Sequence, residues 1–123
     1  MTALTGIRVL LVEDDSMVAT LMSDLLEVLG CEVAGTVSRL SDALDAAQSA
    51  AFDVAILDVN LEGRPVYPVA DALSARGIAA IFCTGYGRSG IDPKYLSMPV
   101  LTKPFDLSTL EQTLASALAS RRA

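Results

Sequence analysis

Short apolar runs alternate with amphipathic stretches along the whole chain, and this alternation constrains the fold more than any other feature. The candidate strands cover residues 7–12, 32–37, 54–57, 79–83 and 100–102. Continuous apolar runs of this kind are typical of strands that are covered on both faces. Because strand and helix alternate about five times, we expect an α/β fold with a parallel sheet and helices on both sides. The doubly wound, flavodoxin-like order 2-1-3-4-5 is the common arrangement for five strands.

The stretches between these runs have the spacing of helices. The apolar positions of the first stretch recur at three- or four-residue intervals, as one helical face requires: Val18, Leu21, Met22, Leu25 and Leu29. Ser16 is the expected N-terminal cap of this helix and Gly30 its stop signal. Two further helices are expected over residues 40–47 and 67–76.

The C-terminal third predicts one regular helix and one irregular segment. Leucines at helical spacing mark a helix over residues 107–118, where Ser108 and Glu111 resemble a capping box. Residues 85–99 contain three Gly and two Pro, a composition that a regular helix disfavours. We therefore expect an irregular or short fourth helix, placed near residues 94–97.

Polar side chains follow four of the candidate strands. Glu13, Asp14 and Asp15 follow the first, Asp58 and Asn60 the third, Thr84 the fourth and Lys103 the fifth. These four strands are neighbours in the expected order, about 4.8 Å apart, and parallel strands end at the same edge of a sheet. The sequence thus predicts several carboxylates, one hydroxyl and one ammonium at a single edge.

Carboxylates gathered in this way favour a bound cation. Two unit charges 4 Å apart interact by roughly 4 kcal/mol at an effective dielectric of 20, so such a group either raises a pKa or binds a cation. The chain has no His, and its two cysteines, Cys31 and Cys83, lie among apolar residues and are expected to be free and buried. Oxygen ligands alone select Mg²⁺, Mn²⁺ or Ca²⁺, and Mg²⁺ commonly adds water and a phosphate.

A carboxylate at the centre of such a site is a candidate nucleophile toward phosphorus. Asp58 has this position, and Lys103 and Thr84 are candidate contacts of the transferred group. Each residue also has a plain structural explanation: the three acids after the first strand could cap a helix, Asp58 could be a loop acid and Lys103 a solvated lysine. The joint placement at four strand ends favours the site. An X-Pro bond can be cis, and Lys103-Pro104 is expected to help aim Lys103 at this edge.

These residues carry a resemblance to a known family. The chain resembles the receiver domain of two-component response regulators over essentially its whole length. The resemblance rests on four motifs: Val12-Glu13-Asp14-Asp15, Ile56-Leu57-Asp58, Thr84 and Lys103-Pro104-Phe105.

The resemblance implies a role for each site residue. Asp58 would accept a phosphoryl group from a histidine kinase or a histidine phosphotransfer protein. Asp14 and Asp58 would bind Mg²⁺ through their side chains, Asn60 through its backbone carbonyl, and Glu13 through a metal-bound water. Thr84 and Lys103 would contact the phosphoryl group, whereas Asp15 has no assigned role and is expected at the helix start.

Two departures from the family pattern concern its switch. Val100 stands where the family usually has an aromatic residue that moves with the threonine, and the loop after Asp58 reads Leu61-Glu62-Gly63-Arg64-Pro65 instead of containing the common Met-Pro pair. The segment Ile81-Phe82-Cys83-Thr84-Gly85-Tyr86-Gly87 is similar to the Phe-Ala-Thr-Gly-Tyr type of single-domain regulator in α-proteobacteria. We hypothesise that Tyr86 and the Gly-rich loop replace the missing aromatic switch.

Length and charge limit the function classes. Residues 1–123 fit one receiver domain without an effector domain, so the output is expected through a partner protein or through phosphoryl sequestration. A net charge of −6, with 9 basic against 15 acidic residues, argues against direct nucleic-acid binding. Residues 1–6 lack a signal-peptide pattern and no apolar run approaches the ~20 residues of a membrane span, so a cytoplasmic, non-membrane protein is expected.

Two alternatives to the phosphorylation-dependent receiver remain open. One is a binding module that works without phosphorylation. The other is a Mg²⁺-dependent phosphatase with an Asp nucleophile, although haloacid-dehalogenase-like phosphatases carry Asp-x-Asp after their first strand and this chain has Asp58-Val59-Asn60 after its third. We expect no enzyme activity beyond self-phosphorylation and autodephosphorylation.

Overall fold

A computed structural model describes residues 4–120, so the segment inspected for a signal peptide lies partly outside the described residues. The elements are β1 Arg8–Val12, α1 Ser16–Val28, β2 Glu32–Val37, α2 Leu40–Ser49, β3 Val54–Asp58, β4 Asn60–Leu61, β5 Arg64–Pro65, α3 Tyr67–Ala75, β6 Ala79–Thr84, β7 Val100–Thr102 and α4 Leu107–Ser120. The main sheet has the order β2-β1-β3-β6-β7, and all its pairs are parallel. The short strands β4 and β5 form a separate hairpin, so β6 and β7 are the fourth and fifth strands of the main sheet. The observed order is therefore the predicted order 2-1-3-4-5.

Alternating side chains of the buried strands build two cores, one on each face of the sheet. Val9 and Leu11 of β1 pack on the side of α1 and α4, whereas Leu10 and Val12 pack on the side of α2 and α3. Each fully buried aliphatic side chain stabilises the fold by about 2 kcal/mol. The two cores fix the sheet, and with it the edge where the polar side chains end. Of the helices that the structure describes, none is long and apolar enough to cross a membrane.

The first helix differs from the prediction in its inner face and its cap. Its buried contacts come from Ala19, Met22, Leu26 and Leu29, whereas Leu21, predicted to face the core, is 61% exposed. The cap is Asp15 and not Ser16: Asp15 Oδ1 accepts from the backbone N–H groups of Met17 at 2.9 Å and Val18 at 3.3 Å. The backbone of Asp15 is extended, as is usual for a capping residue, and Ser16 is the first residue of the helix.

The last helix also has a different cap from the predicted one. Asp106 Oδ1 accepts from Thr109 N at 2.8 Å, and the Asp106 carbonyl accepts from Leu110 N at 3.1 Å. Ser108 already lies inside the helix and accepts from the Gln112 side chain. The predicted capping box of Ser108 and Glu111 is therefore wrong, since the side chain of Asp106, two residues before Ser108, accepts from the free N–H of Thr109.

The segment between β6 and β7 is irregular, as its Gly and Pro content predicted. It contains two 3-10 turns, Gly87–Gly90 and Pro93–Tyr95, and the second lies slightly before the expected residues 94–97. The structure describes both Cys31 and Cys83 as free and buried, as predicted. Strands β3 and β6 run one residue further than predicted, so Asp58 and Thr84 are the last residues of their strands.

An aromatic cluster attaches this irregular segment to α3. The rings of Tyr67 and Tyr95 stack with centroids 4.5 Å apart, and both meet Phe82 edge-on, at 5.6 and 6.0 Å. Tyr67 Oη accepts from Asp92 N at 2.7 Å, and Tyr95 Oη donates to Asp71 Oδ1 at 2.9 Å. The segment is thus held by side chains although it has no regular helix.

Candidate metal centre

Three carboxylates meet at the carboxyl ends of β1 and β3. Glu13, Asp14 and Asp58 each offer an oxygen, and these oxygens lie within 4.8 Å of one another. The parallel register, with Val12 beside Leu57, brings the residues that follow β1 next to the last residue of β3. The structure therefore brings together the acids that the sequence placed at one edge, except Asp15, which caps α1.

Lys103 points into this acidic cluster. Its Nζ donates to Glu13 Oε1 at 3.1 Å and lies 3.8 Å from Asp58 Oδ1. The residue follows β7, its backbone N–H donates to the Thr84 carbonyl at 2.8 Å, and the Lys103-Pro104 bond is cis. Burial alone would lower the pKa of Lys103, but attraction to Asp58 and Glu13 raises it above its usual value. Lys103 is therefore a fixed cation within the cluster.

Asp58 is held in an environment that resists its negative charge. Burial raises its pKa, the neighbouring Glu13 and Asp14 carboxyl groups raise it further, and Lys103 offsets only part, so that the pKa of Asp58 reaches about 7. A hard divalent cation would relieve this repulsion, because it is bound by oxygen ligands alone. The donor set, three carboxylates and no sulfur or nitrogen, fits such an ion.

Asp14 is fixed by a contact that the sequence reasoning missed. Its Oδ2 accepts from the backbone N–H of Glu62 at 2.8 Å. Burial alone would raise the pKa of Asp14, but this N–H and hydrogen bonds with Glu13 and Asp58 hold the pKa below its usual value. Glu62 and Gly63 form the turn of the β4–β5 hairpin, and a Gly in a two-residue turn was the available signal.

Thr84 and Asn60 line a cavity that borders Asp58. The cavity has a volume of about 380 Å³ and also touches Tyr67 and Tyr86. Thr84 is 5% exposed, and its Oγ1 accepts from Tyr86 N at 3.1 Å. Asn60 is exposed and belongs to β4, two residues after Asp58. Thr84, the predicted hydroxyl donor, and Asn60, predicted to act through its backbone carbonyl, thus line the same cavity as Asp58.

The Gly-rich loop packs closely on Thr84, while Tyr86 extends away from the protein. A Cβ atom at Gly90 would lie 2.8 Å from Thr84 Oγ1 and 2.9 Å from Tyr86 Cβ, so a larger residue would displace the loop. The Tyr86 side chain is 81% exposed. Val100 pairs with Phe82 and packs against the α2–α3 core.

Comparison with known proteins identifies the family. The family model described as the response regulator receiver domain matches residues 9–115. This chain belongs to that family. The solution structure of SdrG from Sphingomonas melonis Fr1 is 40% identical, with both chains covered completely and a TM-score of 0.78. A BeF3-activated conformation of SdrG is 41% identical over 96% of this chain and 99% of its own, with a TM-score of 0.79.

More distant relatives include separate receivers and longer regulators. The receiver domain of the response regulator PhyR from Erythrobacter litoralis is 27% identical over 99% of this chain and 97% of its own, with a TM-score of 0.82. The transcriptional regulatory protein PrrA from Mycobacterium tuberculosis is 31% identical over 98% of this chain. The chain spans about half the length of this curated relative, 53%.

Proposed function

We propose that this receiver accepts a phosphoryl group on Asp58 from a histidine kinase or a histidine phosphotransfer protein. One observation carries the proposal: the Asp58 carboxylate ends β3 within an acidic cluster and 3.8 Å from the Lys103 ammonium. In this assignment Asp14 and Asp58 would hold Mg²⁺ directly, Asn60 would add its backbone carbonyl, and Glu13 would act through a water. The bound ion would neutralise phosphoryl oxygens and reduce the repulsion among the carboxylates.

The transfer needs a charged Asp58 and a neutralised phosphoryl group. An oxygen of the Asp58 carboxylate attacks phosphorus, the bond between phosphorus and the donor nitrogen breaks, and the imidazole leaves with the electron pair. The product is an acyl phosphate on Asp58. Lys103 neutralises charge on the phosphoryl oxygens, and the Thr84 hydroxyl donates to one of them.

We further propose that Thr84 transmits the change through the Gly-rich loop and Tyr86. The support is the hydrogen bond from Tyr86 N to Thr84 Oγ1 and the close approach of Gly90 to the same oxygen. A Thr84 hydroxyl that turns to the phosphoryl group gives up its bond with Tyr86 and shifts the loop. Unchanged amide exchange in residues 84–99 after addition of beryllium fluoride, a phosphoryl analogue, would contradict this hypothesis.

The output would be a contact with a partner protein or the sequestration of phosphoryl groups, without enzyme activity of its own toward other substrates. The likeness to SdrG, which has a BeF3-activated conformation, and to a PhyR receiver supports a phosphorylation-controlled interaction. A cytoplasmic location agrees with a kinase or phosphotransfer partner.

Intact-mass spectrometry tests the phosphoacceptor. We incubate three proteins with Mg²⁺ and acetyl phosphate: wild type, Asp58→Asn and the control Asp45→Asn. The control changes an exposed acid of α2. We expect one added phosphoryl group on wild type and Asp45→Asn, none on Asp58→Asn, and none without Mg²⁺. If wild type forms no adduct, kinases and phosphotransfer proteins are tried as donors in place of acetyl phosphate. No adduct with any of these donors would favour a phosphorylation-independent binding module. Multiple-turnover hydrolysis of a phosphomonoester would favour a phosphatase.

A further inference from the structure

We propose that the β4–β5 hairpin is a positioning element that holds Asp14 for the metal through the backbone N–H of Glu62, and that this depends on Gly63. The inference rests on the proposed function, because it concerns the same cation. It adds residues of the loop after Asp58, which differs from the common family pattern and supplies no side chain to the acidic cluster.

The contact reaches Asp14 from a part of the chain that is distant in sequence. Glu62 N donates to Asp14 Oδ2 at 2.8 Å across 48 residues. This bond engages one oxygen of a carboxylate that belongs to the three-carboxylate cluster able to hold a cation. It also limits rotation of the Asp14 carboxylate. A carboxylate that is already held in place loses less rotational freedom when it binds a metal. Groups that orient a metal ligand in this way commonly change metal affinity by 10- to 100-fold.

The hairpin is fixed well enough to act in this way. Its strands pair Asn60 with Pro65 and Leu61 with Arg64. Val66 N donates to the Val59 carbonyl at 2.9 Å and closes the base of the hairpin. Leu61 and Val66 are buried in the α2–α3 core. The Glu62 N–H is therefore tied to the same core that fixes β3.

The turn itself requires two consecutive residues in the left-handed region. Glu62 has φ 50° and Gly63 has φ 84°. Two-residue turns of this kind prefer Gly or Asn, because other residues, above all β-branched ones, are strained at positive φ. A Cβ atom at Gly63 would meet no other atom within 4 Å. A side chain at position 63 would therefore act through the backbone and not through a clash.

Magnesium titration of Gly63 variants tests this role. We compare wild type, Gly63→Val and Gly63→Asn, following backbone amide NMR signals without any phosphodonor. Gly77→Val is the matched control, since Gly77 has φ 69°, has open space at its Cβ position and follows α3 away from the site. We expect Gly63→Val to bind Mg²⁺ about tenfold more weakly, while Gly63→Asn and Gly77→Val stay within twofold of wild type.

The outcomes separate this inference from the proposed function. Equal Mg²⁺ affinity for wild type and Gly63→Val, or an equal loss in Gly77→Val, would overturn the role of the hairpin and leave the phosphoacceptor untouched. Absence of Mg²⁺ binding by wild type would overturn both. If Gly63→Val does not fold, Gly63→Ala is measured instead, with a smaller loss of affinity expected in the same direction.

Discussion

Asp58 faces two opposing demands. It must be ionised to attack phosphorus, but burial and two neighbouring carboxyl groups raise its pKa to about 7. Lys103 supplies one compensating charge, and the Glu62 N–H compensates only Asp14. With a pKa of about 7, Asp58 is partly protonated at neutral pH, and a bound cation would favour its charged form.

The first prediction concerns the stability of Asp58→Asn. The folded pKa of Asp58, about 7, lies above the unfolded value of 3.8. Protonated Asp58 therefore stabilises the folded state below the unfolded pKa, and this contribution is lost as the pH rises through 7. Without metal, we expect Asp58→Asn to gain stability relative to wild type as the pH rises: the difference in the free energy of unfolding, variant minus wild type, should be about 2 kcal/mol larger at pH 8 than at pH 5.

Urea unfolding at the two pH values measures this difference. Asp45→Asn, a change at an exposed acid of α2, is the control and should shift little between them. A gain for Asp58→Asn that is the same at pH 5 and pH 8 would show that burial of the Asp58 charge does not limit stability.

At the scale of elements, the irregular segment depends on aromatic contacts instead of a helix. Tyr67 stacks on Tyr95, meets Phe82 edge-on and accepts a hydrogen bond from Asp92 N. Tyr67 also lines the cavity beside Asp58 and Thr84. One side chain of α3 thus contacts both the proposed phosphoryl site and the segment that would respond to it.

The second prediction is local loosening in Tyr67→Leu. This change removes the stacking, the edge contact and the hydrogen-bond acceptor, so we expect amide exchange in residues 86–98 to accelerate roughly tenfold. Exchange in α1 should not change. Tyr95→Phe is the matched control, because it keeps both ring contacts and loses only the bond to Asp71. Equal acceleration in the two variants would assign the attachment to hydroxyl groups and not to ring stacking.

The elements also show which parts of the fold the sequence could predict. The Gly and Pro residues of the segment 85–99 exclude a regular helix on local grounds, and the structure agrees. The predicted inner face of α1 includes Leu21, because Val18, Leu21, Met22, Leu25 and Leu29 share one helical spacing. Only packing against the sheet decides that Leu26 is buried and Leu21 exposed.

The candidate site also has a part that could be predicted from the sequence and a part that could not. Strand order and strand ends place Asp14, Asp58 and Lys103 together, so the acidic cluster could be predicted from the sequence. The Gly of the turn signals the β4–β5 hairpin but not the Glu62 contact, because strands of two residues have no periodicity and a backbone donor carries no side-chain signature. The cap at Asp106 was missed for a related reason, since several polar residues in succession can each offer an oxygen.

At the scale of the whole molecule, the acidic site adds to an acidic chain. The net charge is −6, and three carboxylates of the cluster lie within 4.8 Å of one another. Folding therefore brings like charges together, and the two cores of the sheet must offset that repulsion. A cation that binds only the folded state would shift the folding equilibrium of the entire domain.

The last prediction is that Mg²⁺ raises the unfolding temperature of the whole chain. At a Mg²⁺ concentration 100 times the dissociation constant, binding to the folded state alone adds about 2.7 kcal/mol, which corresponds to a shift of roughly 10 °C for a domain of this size. NaCl at the same ionic strength screens the exposed charges but should produce a much smaller shift. Asp14→Asn should remove most of the Mg²⁺ effect because it removes one of the three clustered carboxylates, whereas Asp45→Asn should keep it. Equal shifts with NaCl and Mg²⁺, or an undiminished Mg²⁺ shift in Asp14→Asn, would mean that the ion acts on the general charge of the protein and not at this cluster.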